Sequence, residues 1–198
     1  MNPEEPTEPE IKLPIFTIGY GNRNIDEFYS ILKKQSIVYL IDIRTSPYSR
    51  YNQSFSREFL TDWLKLRGIH YVFMGDNLGG RPLDDDCYSD GKVAYEKVQE
   101  KDFYKEGIVR LMSAWSKNLS TVLMCSEIKP EECHRSKLIG NTLLQNKVEV
   151  QHIDEKDNLV SQLDIIKRIT GGQTELFGLP PEVQRSRKKY NPPPKEFE

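Results

Sequence analysis

Short apolar runs of strand type alternate with helical patterns along most of this chain of 198 residues. Strand-type runs lie at residues 15–18, 38–43, 69–74, 121–125 and 148–153. Helical patterns begin at Asn24 and Ser56, and others are predicted over about 93–116, with a possible break near Gly107, and over about 130–146 and 159–169. This alternation predicts a single-domain α/β protein, with a mainly parallel sheet of about five strands and helices on both faces.

Both ends of the chain differ in composition from its centre. The first ten residues hold three prolines and four glutamates, so residues 1–13 are predicted to be a disordered leader. From Gly171 onward, glycines and prolines flank a basic run at 185–189, which predicts an extended Pro-rich basic tail over 171–198. The α/β domain is therefore placed at residues 14–170.

The overall composition excludes several functional classes. Hydrophobic residues make up 37% and charged residues 29%, as in globular proteins. A net charge of -2 gives no global attraction to polyanions, so any anion binding depends on local cations. No apolar run approaches the roughly 18 residues of a membrane span. Three cysteines, an odd number without a signal-peptide pattern, predict a reducing cytoplasmic location.

Chemically reactive side chains are densest between residues 125 and 135. Cys125 and Glu127 follow the strand-type run 121–125, and Cys133, His134 and Arg135 open the helical pattern after it. Ligands of open α/β folds bind outside the carboxyl ends of the strands. Right-handed crossovers place the ends of the first, second and fourth strands on one rim. We therefore expect the functional site at this rim.

Glu127, Cys133, His134 and Cys125 are the candidate catalytic residues. The cysteines have three interpretations: buried core residues, a nucleophile at Cys133 with a pKa lowered by a helix start and His134, or metal ligands. No CxxC pair is present, and adjacent residues on a helix point about 100° apart. We therefore predict no metal site, and the cofactor is unknown.

Arg135 is predicted to lie on the sheet-facing side of its helix. A charge in that position must be paired or bind an anion. Asp42 and Glu127 are the available carboxylates, so Arg135 either forms a salt bridge that fixes the helix or takes part in ligand binding. Asp42 also has Arg44 as an alternative partner.

Further candidate anion ligands surround the same rim. The loop after the second strand carries Arg44 and Arg50 among hydroxyl and aromatic side chains, a combination suited to phosphate and base contacts or to packing on the domain. Arg81 follows a glycine pair, and backbone N–H groups near a helix start can hold an anion. The complete predicted set is Tyr20, Asn22, Arg23, Asp42, Arg44, Arg50, Arg81 and Arg135.

Several motifs together resemble the domain-of-unknown-function 488 family. The matching segments, in order, are residues 17–23, 42–44 with Pro47 and Arg50, 52–55, 78–81, 125 with 133–135, and 150–153. The resemblance covers about residues 14–153 and implies a shared site without supplying a reaction. The family more often carries His where this chain has Tyr20, so the resemblance does not imply an essential imidazole there.

One segment of the tail suggests a partner. Residues Gln173 to Phe177 resemble the short Gln-x-x-Leu-Phe peptides that dock on the bacterial DNA sliding clamp. An exposed Leu-Phe pair can fill an apolar pocket, although Leu176 and Phe177 can equally pack on their own domain.

Two functional hypotheses follow from these patterns. The first is an enzyme acting on a phosphate-bearing substrate, a nucleotide or nucleic acid, at the carboxyl rim of the sheet. The alternative is a non-catalytic module that binds nucleic acid or a protein. A third interpretation, a redox-responsive protein, uses Cys125 and Cys133 as its thiols.

Overall fold

The computed structural model describes residues 12–49, 52–172 and 181–190. Within them, six strands form the main sheet, in the order β3-β2-β6-β1-β7-β8, and β4 and β5 form a separate hairpin. The strands in chain order are β1 (Ile15–Gly19), β2 (Tyr39–Asp42), β3 (His70–Phe73), β4 (Tyr88–Ser89), β5 (Lys92–Val93), β6 (Thr121–Cys125), β7 (Val150–Ile153) and β8 (Leu159–Ser161). The first five strands of that order pair in parallel, and β8 alone is antiparallel.

Helices alternate with these strands, as the sequence predicts. They are α1 (Ile25–Lys34), α2 (Arg57–Lys65), α3 (Gly75–Leu78), α4 (Tyr95–Gln99), α5 (Asp102–Ser116), α6 (Asn141–Gln145), α7 (Gln162–Thr170) and α8 (Pro181–Gln184). A capping box at α1 joins the side chains of Asn24 and Glu27 to each other's backbone N–H groups, so local sequence determines where that helix begins.

Successive strand residues pack on opposite sides of the sheet. Phe16 and Ile18 contact one core cluster with Phe28 of α1 and Leu60 of α2. Ile15 belongs to a second cluster, which contains buried residues of α3, α4, α5 and α6. The period of two along each strand therefore produces two cores, with helices on both faces. The predicted fold class is confirmed, with one strand more than expected.

Three predicted elements need correction. The pattern predicted as one last helix over 159–169 is β8 followed by α7, because Leu159 to Ser161 pair with β7 before the helix begins. The pattern over 93–116 breaks at 100–101 between α4 and α5, whereas Gly107 lies inside α5 and packs against Leu78.

The helix predicted over 130–146 is also divided. A 3-10 turn (Pro130–Glu132) comes first, then extended backbone at Cys133, a π-helix (Arg135–Gly140) and α6. Cys133 has φ −116° and ψ 150°, so it does not lie in the first turn of a helix. π-helical turns often occur at functional sites.

The predicted leader lies mostly outside the described residues, as does the clamp-binding segment 173–177, and both stay predictions. Besides residues 171–172, the described part of the predicted tail is residues 181–190. They contain α8, Val183 is fully buried, and Arg185 forms a β-bridge with Ala94. This segment therefore packs against the domain next to β5. No helix among the described residues has both the length and the apolar character to cross a membrane.

A buried polar network joins the last parallel strand to the helix that follows β6. The Nε2–H of His152 donates to Gln162 Oε1 at 2.6 Å, which leaves Nδ1 to accept from the Thr17 hydroxyl at 2.7 Å. Gln162 in turn donates to the backbone oxygen of Ser136 and to Asn141 Oδ1. Burial lowers the pKa of His152 to about 3, and the nearby charge of Arg135 adds to this effect.

Acid is expected to destabilise the fold through His152. Its folded pKa lies below the unfolded value of 6.5, so the unfolded state binds more protons, and stability present above pH 6.5 falls as pH decreases toward 3. The expected loss from this residue between pH 6.5 and about pH 4.5 is roughly 2 kcal/mol. We expect the free energy of unfolding to depend less steeply on pH in H152Q than in H70Q, where an exposed histidine is removed. If the free energy of unfolding depends equally steeply on pH in the two variants, the pKa of His152 is not lowered by folding.

Candidate functional site

The carboxyl ends of β2, β6 and β1 lie side by side, because these three strands are neighbours in the parallel sheet. A cavity of about 560 Å³ opens at this rim. Its lining includes seven predicted site residues: Tyr20, Arg44, Arg81, Cys125, Glu127, Cys133 and His134. The structure thus brings together segments that lie more than a hundred residues apart in the chain.

Cys133 and His134 form a hydrogen-bonded pair. His134 Nε2 lies 3.1 Å from the backbone oxygen of Ile43, an acceptor only, so Nε2 carries a proton. In the neutral ring, Nδ1 is then an acceptor and lies 3.5 Å from Cys133 Sγ. Sequence reasoning expected these adjacent side chains to diverge on a helix. The extended backbone at Cys133 lets them meet instead.

Close backbone packing holds the imidazole in place. A Cβ at Gly80 would lie 2.7 Å from His134 Nδ1, so the ring rests directly against the glycine backbone. At the end of β1, a Cβ on Gly19 would overlap the backbone oxygen of Glu127. The glycines beside the site therefore permit close approach of neighbouring chain segments.

Glu127 provides an ionised group next to the thiols. Its Oε2 lies 3.4 Å from Cys133 Sγ, as an acceptor that competes with His134 Nδ1 for the single thiol proton, and it accepts from the hydroxyl of Ser126 at 3.3 Å. Burial by itself would raise the pKa of Glu127. The electrostatic interaction with His134 and hydrogen bonds from a backbone N–H and from the thiols of Cys133 and Cys125 outweigh burial and lower that pKa. Glu127 is therefore a carboxylate at neutral pH and can accept a proton.

Cys125 lies behind Cys133, with 2.9 Å between the two Sγ atoms. Burial raises the pKa of Cys125 well above its ordinary value, and its hydrogen bond to Cys133 raises it further. Cys125 is therefore a neutral thiol at physiological pH, and Cys133 is the better placed of the two to react.

Cys125, Glu127 and Cys133 also offer potential metal ligands, with one atom of each within 4.8 Å of the others. The sequence predicted no metal site. A tetrahedral zinc ion with Zn–S bonds of about 2.3 Å would hold two thiolates roughly 3.7 Å apart. The sulfurs are 2.9 Å apart, so zinc binding would require them to separate.

Arg44 is the cation most firmly built into the site. Its Nε and Nη2 donate to the two carboxylate oxygens of Asp42, at 2.9 and 2.5 Å, and the Tyr71 hydroxyl donates to the same carboxylate. Burial alone would lower the pKa of Arg44, but the hydrogen bond and charge of Asp42 raise it above its ordinary value. The remaining nitrogen, Nη1, is buried and has no hydrogen-bond partner among the described residues.

Arg135 lies beneath the site and is fully buried. Its Nη2 donates to the backbone oxygen of Ile128 at 2.9 Å, whereas Nε and Nη1 have no hydrogen-bond partner in the described part of the chain. It does not form the expected salt bridge with Asp42 or Glu127 among these residues, because Asp42 is engaged by Arg44. Its positive charge acts through space on Cys125 and opposes the rise in the pKa of that thiol.

Three predicted anion ligands lie elsewhere or are not described. Arg23 is buried, donates to the backbone oxygens of Gly19 and Asp154, and pairs with Asp157 at 2.6 Å, so it fixes the loop after β7 to the end of β1. Asn22 is exposed and does not line the cavity. Arg50 lies outside the described residues.

Sequence reasoning missed the wall that the C-terminal segment contributes. Ser186, Arg187, Lys188 and Tyr190 line the cavity, and Arg81 lies over the Tyr190 ring, 5.0 Å from its centroid. The segment is held by backbone bonds from Ser186 to Val93 and from Tyr190 to Gly91. The basic run was visible in the sequence. Val183 in Pro-Glu-Val-Gln and Tyr190 were the local signals that the segment packs.

Comparison with known proteins identifies a family. The family model described as "Domain of unknown function DUF488" matches residues 24–141, which is more than half of the chain. This span contains Arg44, Arg81, Cys125 and Cys133, whereas the resembling segments at 17–23 and 150–153 lie outside it. Searches of curated proteins and of solved structures gave no significant match. On the extent of the family match, the chain belongs to the DUF488 family.

Proposed function

We propose that this protein is a cytoplasmic enzyme that acts on a phosphate-bearing substrate of the nucleotide or nucleic-acid class. The observation that carries the proposal is a single cavity lined both by the Cys133–His134 pair and by the cations Arg44, Arg81 and Lys188. Its volume of about 560 Å³ is typical of small-molecule sites. A reducing compartment would keep Cys133 as a thiol.

The lining cations suit an anion. Asp42 neutralises one edge of Arg44, and no residue in the described part of the chain accepts a hydrogen bond from Nη1. A phosphate oxygen beside Arg44 would supply one, with a charge-assisted hydrogen bond. Arg81 and Lys188 are exposed on the cavity lining and can contact further phosphate oxygens. Arg44 is therefore held in one orientation by Asp42, whereas the exposed side chains of Arg81 and Lys188 can adjust their conformations to the substrate.

Cys133 is the proposed nucleophile. His134 Nδ1 takes the thiol proton, and the sulfur lone pair forms a bond to the electrophilic centre of the substrate. The leaving group departs with its bonding electron pair and receives the proton from His134. Water then gives a proton to the Glu127 carboxylate and displaces the sulfur, which leaves as a thiolate and recovers that proton from Glu127 as the product is released. His134, oriented by a backbone oxygen, has the arrangement expected of a base that activates a thiol.

Turnover assays with reduced full-length protein test this proposal. The panel comprises 5′-mononucleotides, dinucleotides, p-nitrophenyl phosphate and short single-stranded oligonucleotides, with products separated by chromatography and identified by mass. We expect at least one class to be converted. Absence of both conversion and binding across the whole panel would overturn the proposal.

Arg81 is expected to contribute to anion affinity. Losing one charge-assisted contact should weaken binding of inorganic pyrophosphate by about tenfold in R81A, which corresponds to roughly 1.4 kcal/mol. Titration calorimetry at fixed ionic strength measures the change. R110A is the matched control, because Arg110 is exposed on α5, outside the cavity, and its loss changes the net charge equally. Equal affinities in the two variants would contradict a role for Arg81.

The alternative, a nucleic-acid-binding module without catalysis, is favoured by one observation. Tyr48 lines the cavity with 64% of its surface exposed, so it offers a face on which a base can stack. Steeply salt-dependent binding of a single-stranded oligonucleotide without conversion of the panel would support this alternative.

A further inference from the structure

The two cavity thiols are close enough to react with each other. Cys125 Sγ and Cys133 Sγ lie 2.9 Å apart, and a disulfide holds its sulfurs about 2.05 Å apart, so closure requires a movement of about 0.9 Å. Cys125 ends β6, while Cys133 lies in the extended backbone between a 3-10 turn and a π-helix. The backbone N–H of Cys133 donates to the backbone oxygen of Pro130 at 3.1 Å, so the sulfurs approach each other by rotation of the two side chains.

We propose that Cys133 is a peroxide-sensitive modification site and that Cys125 converts the modified residue to an intramolecular disulfide. Hydrogen peroxide is small enough to approach sulfurs that are almost entirely covered but that line an open cavity. Hydrogen peroxide alone is sufficient to oxidise the site, so no larger oxidant has to enter the cavity.

Three neighbours identify Cys133 as the residue that is oxidised first. His134 Nδ1 lies 3.5 Å from its sulfur and can take the thiol proton, and the backbone N–H of Arg135 lies at the same distance as a donor to the thiolate. Cys125 is itself placed to donate its S–H to that thiolate. Among the described residues, Cys125 Sγ is hydrogen-bonded to Cys133 Sγ and to the backbone oxygen of Glu127, neither of which is a base that takes its proton.

The chemistry balances in two steps. The Cys133 thiolate attacks one peroxide oxygen, the O–O bond breaks, and hydroxide leaves, so the sulfur is oxidised to a sulfenic acid. Cys125 then loses its proton and attacks the Cys133 sulfur, the S–O bond breaks, and the oxygen leaves as water. One peroxide is reduced to two waters overall, and the two thiols become one disulfide.

The consequence for activity rests on the proposed function. A disulfide occupies the Cys133 sulfur, so turnover would stop on oxidation and return after reduction by dithiothreitol. The formation of the disulfide does not depend on that function, and it is measured without substrate.

Peptide mass mapping after peroxide treatment of the full chain tests the proposal. Tryptic cleavage leaves Cys125 and Cys133 on one peptide, residues 118–135, because Lys129 precedes a proline. In wild-type protein this peptide should lose two hydrogens and become resistant to alkylation. In C125A it should instead gain two oxygens, because a sulfenic acid without a resolving thiol proceeds to sulfinic acid. C87A, which removes the third cysteine, should behave as wild type.

Three results would overturn the proposal. The first is a wild-type peptide 118–135 that gains oxygens without losing hydrogens. The second is loss of two hydrogens from this peptide in C133S. The third is one equivalent of zinc in the purified protein that protects both thiols from peroxide. The mass of peptide 118–135 from wild-type protein tests the proposal even if a variant does not fold.

Discussion

Replacing Cys133 with serine is expected to lower turnover of the converted substrate by roughly 100-fold or more while leaving its binding within about threefold. Serine keeps the shape of the side chain, but its hydroxyl is a far weaker acid than a thiol. In C133S, His134 therefore cannot deprotonate the residue beside it to an anionic nucleophile at neutral pH. Initial rates at saturating substrate report kcat, and calorimetric titration of the same substrate reports binding.

C87S is the matched control for this variant. Cys87 is a buried member of the core cluster that also contains Cys133, and it does not line the cavity, so C87S makes the same atomic change in the same core away from the site. If C87S retains full turnover and C133S loses it, the loss reflects chemistry rather than packing. Comparable turnover in C133S and wild type would remove Cys133 from the mechanism.

Removing the buried carboxylate in D42A is expected to cost about 3–5 kcal/mol in the free energy of unfolding. Asp42 accepts from the Nε, Nη2 and backbone N–H groups of Arg44, and from the hydroxyl of Tyr71 at 2.6 Å. Without the carboxylate, the guanidinium stays buried and unpaired, which is the main source of the cost. Urea denaturation followed by circular dichroism measures the change.

The exposed ion pair of Glu100 and Lys105 is the control for the buried pair of Asp42 and Arg44. Glu100 and Lys105 lie 3.3 Å apart with both side chains largely exposed, so E100A should change stability by about 1 kcal/mol or less. A loss in D42A no larger than the loss in E100A would show that Arg44 finds another partner or becomes hydrated. The description of Arg44 as a fixed, pre-oriented cation would then be wrong.

The sequence was sufficient to predict which strands end at the rim of the sheet, because strand periodicity is a local property. The runs 15–18, 38–43 and 121–125 each correspond to a strand whose alternate residues enter two cores. In a parallel sheet with right-handed connections, the ends of neighbouring strands meet. The meeting of Arg44, Cys125 and Glu127 therefore followed from element types alone.

Local pattern failed where a tertiary contact overrides it. Leu159 to Ser161 have the apolar spacing of a helix start, and only the neighbouring β7 makes them a strand. At Cys133, the propensity for a continuous helix gives way to a 3-10 turn, extended backbone and a π-helix. No residue type in this segment specifies that break.

The alternation of apolar runs determined the fold class, and the clustering of thiol, imidazole and carboxylate determined which segments form the site. Only the tertiary structure decided that Arg44 takes the Asp42 carboxylate, that Arg135 is buried without it, and that residues 185–190 complete the cavity wall. The physical reason is that hydrogen-bond partners and packing are chosen by distance in space, and periodicity along a chain carries no information about distances between remote segments.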